Sequence, residues 1–224
     1  MNLPPLAHID EDGAIREAEG RISRHGLLRA AALGGGGATV IALGKARAAH
    51  GASKRDVDIL NYALTLEYLQ AAFYTESERL QKLGPKAASA ARTVGAVERA
   101  HVAAFRGALG TAAVARPRFN FKGVTEDERR FLKTAVAFED LAVAAYKAQA
   151  PKLEDRSLLA VAVSIHSVEA RHAAWMRHLF GIRPAASAFD EPIEKPEILR
   201  IVRSTRFITA TPATSAQESP EFTG

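Results

Sequence analysis

Between Ser53 and Gly181 apolar residues return every three or four positions, the period of a helix with one buried face, in four separate runs. The first carries Leu60, Leu64, Ala71 and Tyr74 and opens at Ser53, with Asp56 three residues on in the pattern of a capping box. Gly84-Pro85 stops it. A second run, Lys86 to Leu109, sets Ala91, Val94, Val102 and Phe105 on one face and ends at Gly110. Residues 111 to 124, with Pro117 and Gly123, form the longest link, and Thr125 with Glu128 reads as a second capping box. The third run carries Leu132, Ala135, Val136, Val143 and Tyr146 before Pro151. The fourth, from about Asp155 to Phe180, carries Leu158, Ala162, Ile165, Ala173 and Met176, with Gly181 as its C′ residue. Helices of about 24 to 28 residues are about 36 to 42 Å long at 1.5 Å per residue. The pattern therefore predicts an all-α protein with an antiparallel four-helix bundle over residues 53–183. After Pro184 prolines punctuate the chain. Residues 184–224 are expected to be an irregular C-terminal arm, with Ile198 to Ile208 packed on the bundle and the last ten or so residues disordered.

Each apolar stripe is interrupted, and the interruptions carry the chemistry. Glu67 lies in the stripe of Leu60, Leu64, Ala71 and Tyr74; Glu98 and His101 lie between Val94 and Phe105. Glu139 sits between Val136 and Val143, and Glu169 and His172 sit between Ile165 and Met176. A bundle would thus bury one Glu from each of its first and third helices and a Glu-x-x-His from each of its second and fourth. Four unpaired buried carboxylates would cost far more than the roughly 5 to 15 kcal/mol of a domain's net stability. Two divalent cations, with both imidazoles neutral, bring the charge sum to zero. The i, i+3 spacing of Glu-x-x-His puts both side chains within reach of one ion, and carboxylate plus imidazole ligation suits iron or manganese.

A lone Glu-x-x-His is weak evidence: 7 His and 17 Glu in 224 residues give about 0.5 such pairs by chance, and two occur. Order and repetition add to it. Residues 63–74, ALTLEYLQAAFY, align on residues 135–146, AVAFEDLAVAAY, with five of twelve identical, and Val97-Glu98-Arg-Ala-His101 aligns on Val168-Glu169-Ala-Arg-His172. The bundle is two similar helix pairs.

Composition narrows the chemistry further. The chain has no cysteine, which excludes disulfides, thiol catalysis, iron–sulfur clusters and cysteine zinc sites, leaving His and carboxylate for metals. A net charge of +5 with pI about 9.6 does not point to a nucleic acid, because the charges are interspersed and the densest basic stretches (Arg116, Arg118, Lys122; Arg129, Arg130) are short.

Residues 1–48 read as a leader. An acidic stretch to residue 22, expected to be unstructured, precedes Ser23-Arg24-His25-Gly26-Leu27-Leu28-Arg29, an apolar run from Ala30 to Leu43, and Ala46-Arg47-Ala48. A cationic segment, a mild apolar stretch and a small-x-small triplet are the parts of an export signal. The arginine before Leu-Leu resembles a twin-arginine signal, which exports folded proteins, with His25 in place of the second arginine. The apolar run falls short of the ~20 residues that span a bilayer, and an uncleaved anchor is the alternative. Export to the periplasm or cell envelope is expected, with the export machinery as a partner.

Glu, Glu-x-x-His, Glu, Glu-x-x-His across four helices resembles the ferritin-like superfamily of di-iron and di-manganese carboxylate proteins. Residues 56–69, DVDILNYALTLEYL, and the tail around Phe189-Asp-Glu-Pro192 resemble its exported bacterial ferritin-like domain proteins. The resemblance covers about residues 55 to 208. It implies two metal ions, iron first and manganese second, bridged by Glu98 and Glu169, with Glu67 and His101 on one and Glu139 and His172 on the other. Val97 and Val168 stand four residues before His101 and His172, where some relatives keep an aspartate that orients the imidazole, so orienting hydrogen bonds must come from elsewhere.

An oxidoreductase acting on Fe(II), oxygen or peroxide follows as the first expectation, of ferroxidase, peroxidase or manganese-catalase type, with a small-molecule oxidant or metal ion as its partner. The alternative is a non-catalytic metal-buffering or stress-related envelope protein. A homo-oligomer is compatible with this reading, and the oligomeric state is left open. Of the other residues, Tyr74 and Tyr146 read as core aromatics, with a redox tyrosine as the sharper alternative. Trp175 reads as packing, His166 as a boundary histidine, Arg171 as a solvated arginine or a carboxylate anchor, and Asp140 as a candidate acceptor for an imidazole N–H.

Overall fold

The computed structural model describes residues 52–210; the leader and the expected disorder of the last residues lie outside them. Helix α1 (Lys54–Leu80) opens where expected, with Ser53 Oγ accepting the Asp56 N–H at 3.2 Å. Asp56 does not complete a capping box. It is buried, and its carboxylate accepts the N–H groups of Glu154 (2.8 Å) and Asp155 (3.1 Å), tying the start of α1 to a distant corner of the bundle. The helix ends at Gln81, in the left-handed region at φ 53°, and after a short turn α2 (Pro85–Leu109) begins with proline in its first turn.

Residues 110–127 connect α2 to α3 (Glu128–Gln149) through two 3₁₀ turns and a short strand β1 (Arg118–Phe119). The second predicted capping box does not form. Thr125 lies inside a 3₁₀ turn and is buried, its hydroxyl donating to Glu76 Oε1 at 2.7 Å, and Asp127 caps α3 instead by accepting the Arg130 N–H at 2.8 Å. Helix α4 (Arg156–Phe180) is capped by Asp155 and closes at Gly181, whose φ of 85° suits glycine.

Helix α1 packs mainly on α2, and α3 mainly on α4, so the bundle is two pairs, as the internal repeat implies. Two hydrogen bonds between the pairs fix their relative direction. Tyr74 of α1 reaches Glu139 of α3, and Tyr146 of α3 reaches Glu67 of α1, so the later residue of each helix meets the earlier residue of the other. Helices α1 and α3 are therefore antiparallel neighbours. Because α2 returns antiparallel to α1, α2 and α3 run the same way and residues 110–127 cross the length of the bundle. This single long crossover refines the simple antiparallel reading and is the connection of ferritin-like bundles.

The core has two apolar parts with a polar layer between them. One gathers the end of α1, the starts of α2 and α3 and the end of α4 around Phe73, Val94, Phe131 and Met176. The other gathers the opposite ends around Leu64, Phe105, Leu158 and Ile165. The C-terminal segment is more regular than expected. Helix α5 (Lys195–Thr205) buries Ile198 and Val202 against the first part, and strand β2 (Ile208–Ala210) pairs antiparallel with β1. No helix among the described residues is long and apolar enough to cross a membrane.

Candidate metal centre

The polar layer holds all six residues predicted from the interrupted stripes. Glu67, Glu98, Glu139 and Glu169 are at most 1% exposed, and His101 and His172 are 3% and 6% exposed. Helical spacing brings them there: Glu98 to His101 and Glu169 to His172 are each one turn, and Glu67 and Glu139 occupy equivalent positions of the repeated segment.

The six converge as two overlapping groups whose ligand atoms lie within 4.8 Å of one another. One is Glu67, Glu98, His101 and Glu169; the other is Glu98, Glu139, Glu169 and His172. Glu98 and Glu169 belong to both. Each histidine turns Nδ1 inward. That of His101 lies 3.2 Å from Glu67 Oε2, 3.2 Å from Glu169 Oε1 and 3.6 Å from Glu98 Oε2. That of His172 lies 2.9 Å from Glu98 Oε1, 3.5 Å from Glu139 Oε2 and 3.8 Å from Glu169 Oε2.

One of these contacts is a hydrogen bond, between His101 Nδ1 and Glu67 Oε2 at 3.2 Å; the others are proximity alone. Both oxygens of Glu98 and of Glu169, Oε2 of Glu139 and Nδ1 of His172 are buried with no hydrogen-bond partner among the described residues, although His172 Nδ1 is 2.9 Å from a carboxylate oxygen. An orphaned buried carboxylate oxygen is strongly unfavourable. Six such atoms of carboxylate and imidazole type, arranged in two overlapping sets, fit two hard or borderline cations, so each group could hold a metal ion.

Electrostatics say the same. Burial pushes Glu98 well above the usual carboxylate range, with the Glu169 charge adding to it. Burial, reinforced by Glu169 and opposed by His172 and Tyr74, raises Glu139 to about 7. Glu169 goes the other way: burial would raise it, but His101 and His172 outweigh that and hold it at about 2. Burial would lower both imidazoles, yet the carboxylates around them prevail, taking His172 to about 12 and His101 well above the usual range. The cluster draws in whatever positive charge it can, and protons on imidazole are the chain's own source.

Two tyrosines complete the site, and sequence reasoning had placed them among the core aromatics. The Tyr74 hydroxyl donates to Glu139 Oε1 and that of Tyr146 to Glu67 Oε1, each at 2.5 Å and fully within the core. Each bond leaves Oε2 of its carboxylate turned toward a histidine: Glu67 Oε2 toward His101 and Glu139 Oε2 toward His172. Burial and the adjacent carboxylates raise both phenols well above their usual range, so they stay protonated donors. A glycine makes room for one of them. A Cβ on Gly95 would sit 2.7 Å from Tyr74 Cβ, inside contact distance, so α2 approaches α1 closely only because residue 95 has no side chain.

The remaining candidates lie outside the cluster. Asp140 takes no imidazole proton; it accepts from Arg177 Nε and Nη2 at 2.9 and 2.8 Å, one helix position around from Glu139 and aimed at α4. Trp175 is 37% exposed rather than packed inside, and Arg171 is exposed. His166 is half-buried, with Nε2 buried and unpartnered among the described residues, but it belongs to neither group.

A family model described as a ferritin-like domain matches residues 55–181, more than half of the 224 residues, from the start of α1 to the end of α4. A comparison with curated proteins finds no match. With its helix pairs, long crossover and midway layer of glutamates and histidines, the chain belongs to the ferritin-like domain family.

Proposed function

We propose that the cluster holds two divalent metal ions, iron in the first place and manganese in the second, and that the protein is an oxidoreductase acting on Fe(II), dioxygen or peroxide. The observation that carries this reading is the pair of overlapping groups sharing Glu98 and Glu169, with their buried, unpartnered ligand atoms. In it, Glu67 and His101 would hold one ion, Glu139 and His172 the other, and Glu98 and Glu169 would serve both. When bound, two redox-active ions supply a two-electron step with a small oxidant.

The chain's own residues do the rest. Tyr74 and Tyr146 hold Glu139 and Glu67 by one oxygen each, leaving the other free to ligate. The two apolar parts of the core exclude bulk water from above and below, which strengthens every charge interaction between them. With no cysteine in the chain, electrons come from the metal substrate or an external donor.

The export reading belongs to this proposal and rests on residues 23–48 alone; cell fractionation tests it. For activity, the test is Fe(II) oxidation and peroxide consumption by metal-loaded protein. Turnover in either, lost in Glu98→Ala, supports the oxidoreductase. Inactivity in both with metal bound favours metal buffering instead.

A further inference from the structure

The crossover between α2 and α3 carries Arg116 and Arg118, which the metal cluster leaves unused. The fold brings them beside Arg79, on the outer side of α1, around a concavity of about 380 Å³ that Glu76 and Phe119 also line. Volumes of roughly 300 to 1,000 Å³ are those of small-molecule sites. None of the three guanidiniums has a carboxylate or carbonyl partner among the described residues. The acid beside them, Glu76, has one oxygen engaged by the Thr125 hydroxyl at 2.7 Å. Three arginines against one glutamate leave two positive charges facing the concavity.

The Arg116 side chain and the Arg118 backbone are also held in place. The Arg116 guanidinium lies 5.4 Å from the centre of the Phe119 ring, which is itself stacked on buried Phe121 at 5.9 Å. Arg118 is in β1 opposite Ala210, and its carbonyl accepts the Thr209 hydroxyl at 3.3 Å. Part of the ordering cost of binding is therefore met before a ligand arrives. Guanidinium forks match the paired oxygens of a phosphate group, and a net charge of +2 matches its dianion.

We propose that Arg79, Arg116 and Arg118 form a binding site for a small soluble phosphate, either inorganic phosphate or a phosphate monoester. Arg79 lies twelve residues beyond Glu67, about 18 Å along α1, so the site does not depend on the metal reading.

Calorimetric titration of the full chain with inorganic phosphate and with glycerol 3-phosphate, at ionic strength held constant with potassium chloride, tests it. Saturable binding is expected, weakened at least tenfold in Arg79→Gln and in the Arg116→Gln/Arg118→Gln double variant. Arg203→Gln, on the exposed side of α5, should bind as the parent does. Circular dichroism and melting of the same samples show whether the variants fold, and Arg116→Lys keeps the charge while losing the fork. No saturable heat, the same response to chloride, or undiminished binding in the double variant would overturn the proposal.

Discussion

The contact between Gly95 and Tyr74 gives a prediction that needs no metal. Gly95→Ala places a methyl group 2.7 Å from Tyr74 Cβ and 2.4 Å from Glu78 Oε1. Glu78 is partly buried and paired with Arg99 at 2.8 Å, but its carboxylate is the end of a flexible side chain and can swing away with that pair. Tyr74 cannot, because it is wholly buried, packed edge-on to Phe73 and Phe131, and bonded to Glu139. The methyl group forces α1 and α2 apart at Tyr74 and with that pulls its hydroxyl off Glu139. Overpacking costs about 1 to 3 kcal/mol. Breaking a hydrogen bond to a charged acceptor costs about 1.5 to 3 kcal/mol more. Alanine returns about 1 kcal/mol of helix propensity. The net loss is about 1.5 to 5 kcal/mol. Gly107, in the same helix, has nothing within 4 Å of its built Cβ, so Gly107→Ala keeps the propensity gain without the clash. At about 2 to 4 °C per kcal/mol for a domain of this size, thermal melting of chelator-treated samples should place Gly95→Ala at least about 3 °C below the parent and Gly107→Ala slightly above it. Gly95→Ala melting at or above Gly107→Ala would refute the close approach at Tyr74.

Other outcomes follow from the same geometry. Tyr74→Phe and Tyr146→Phe each remove one hydrogen bond to a terminal carboxylate, so each should weaken Mn(II) binding by about 10- to 100-fold, and by similar amounts because the two halves of the site correspond; a titration in which only one variant is weakened would break that correspondence. Loading metal should release protons. In chelator-stripped protein His172, held up to about 12, and His101, also raised well above the usual imidazole range by its carboxylates, both carry a proton at pH 7 that they must lose to ligate, so affinity rises with pH and falls on acidification. Binding heats in buffers of different ionisation enthalpy should give two or more protons released, and a zero slope would contradict the charge assignment. Asp140→Asn should leave metal content unchanged and cost less than about 1 kcal/mol in urea unfolding, because it breaks only a half-exposed pair with Arg177.

How much could be read in advance depended on how unusual each residue was for its place. A glutamate in a leucine and alanine stripe has one economical explanation, so Glu67, Glu98, Glu139 and Glu169 stood out, and one turn of helix brought His101 and His172 with them. A tyrosine in the same stripe is ordinary. The function of Tyr74 and Tyr146 depends on a partner in another helix and on the antiparallel run of α1 and α3, neither of which is local. One sign was present: both tyrosines fall at the same place in the twelve-residue repeat, seven after each glutamate. Asp140, a candidate acceptor from its place beside Glu139, accepts no imidazole proton because one residue rotates the side chain about 100° around the helix, away from the cluster and toward Arg177. Thr125 and Asp127 both precede α3 with capping chemistry, and only the 3₁₀ turn at Val124–Glu126 decides between them. The regular helix α5 was signalled by Pro196 in its first turn and by Ile198 and Val202 four apart, but the surrounding prolines argued for irregular chain.

The central claim is that two metal sites share Glu98 and Glu169. Elemental analysis of protein purified without chelator, on the parent and on four single variants, tests it most directly. The account predicts two ions per chain for the parent, one for Glu67→Ala and for Glu139→Ala, and loss of both for Glu98→Ala and Glu169→Ala. A folded parent with no iron or manganese, or a Glu98→Ala protein that still holds two ions, would contradict it.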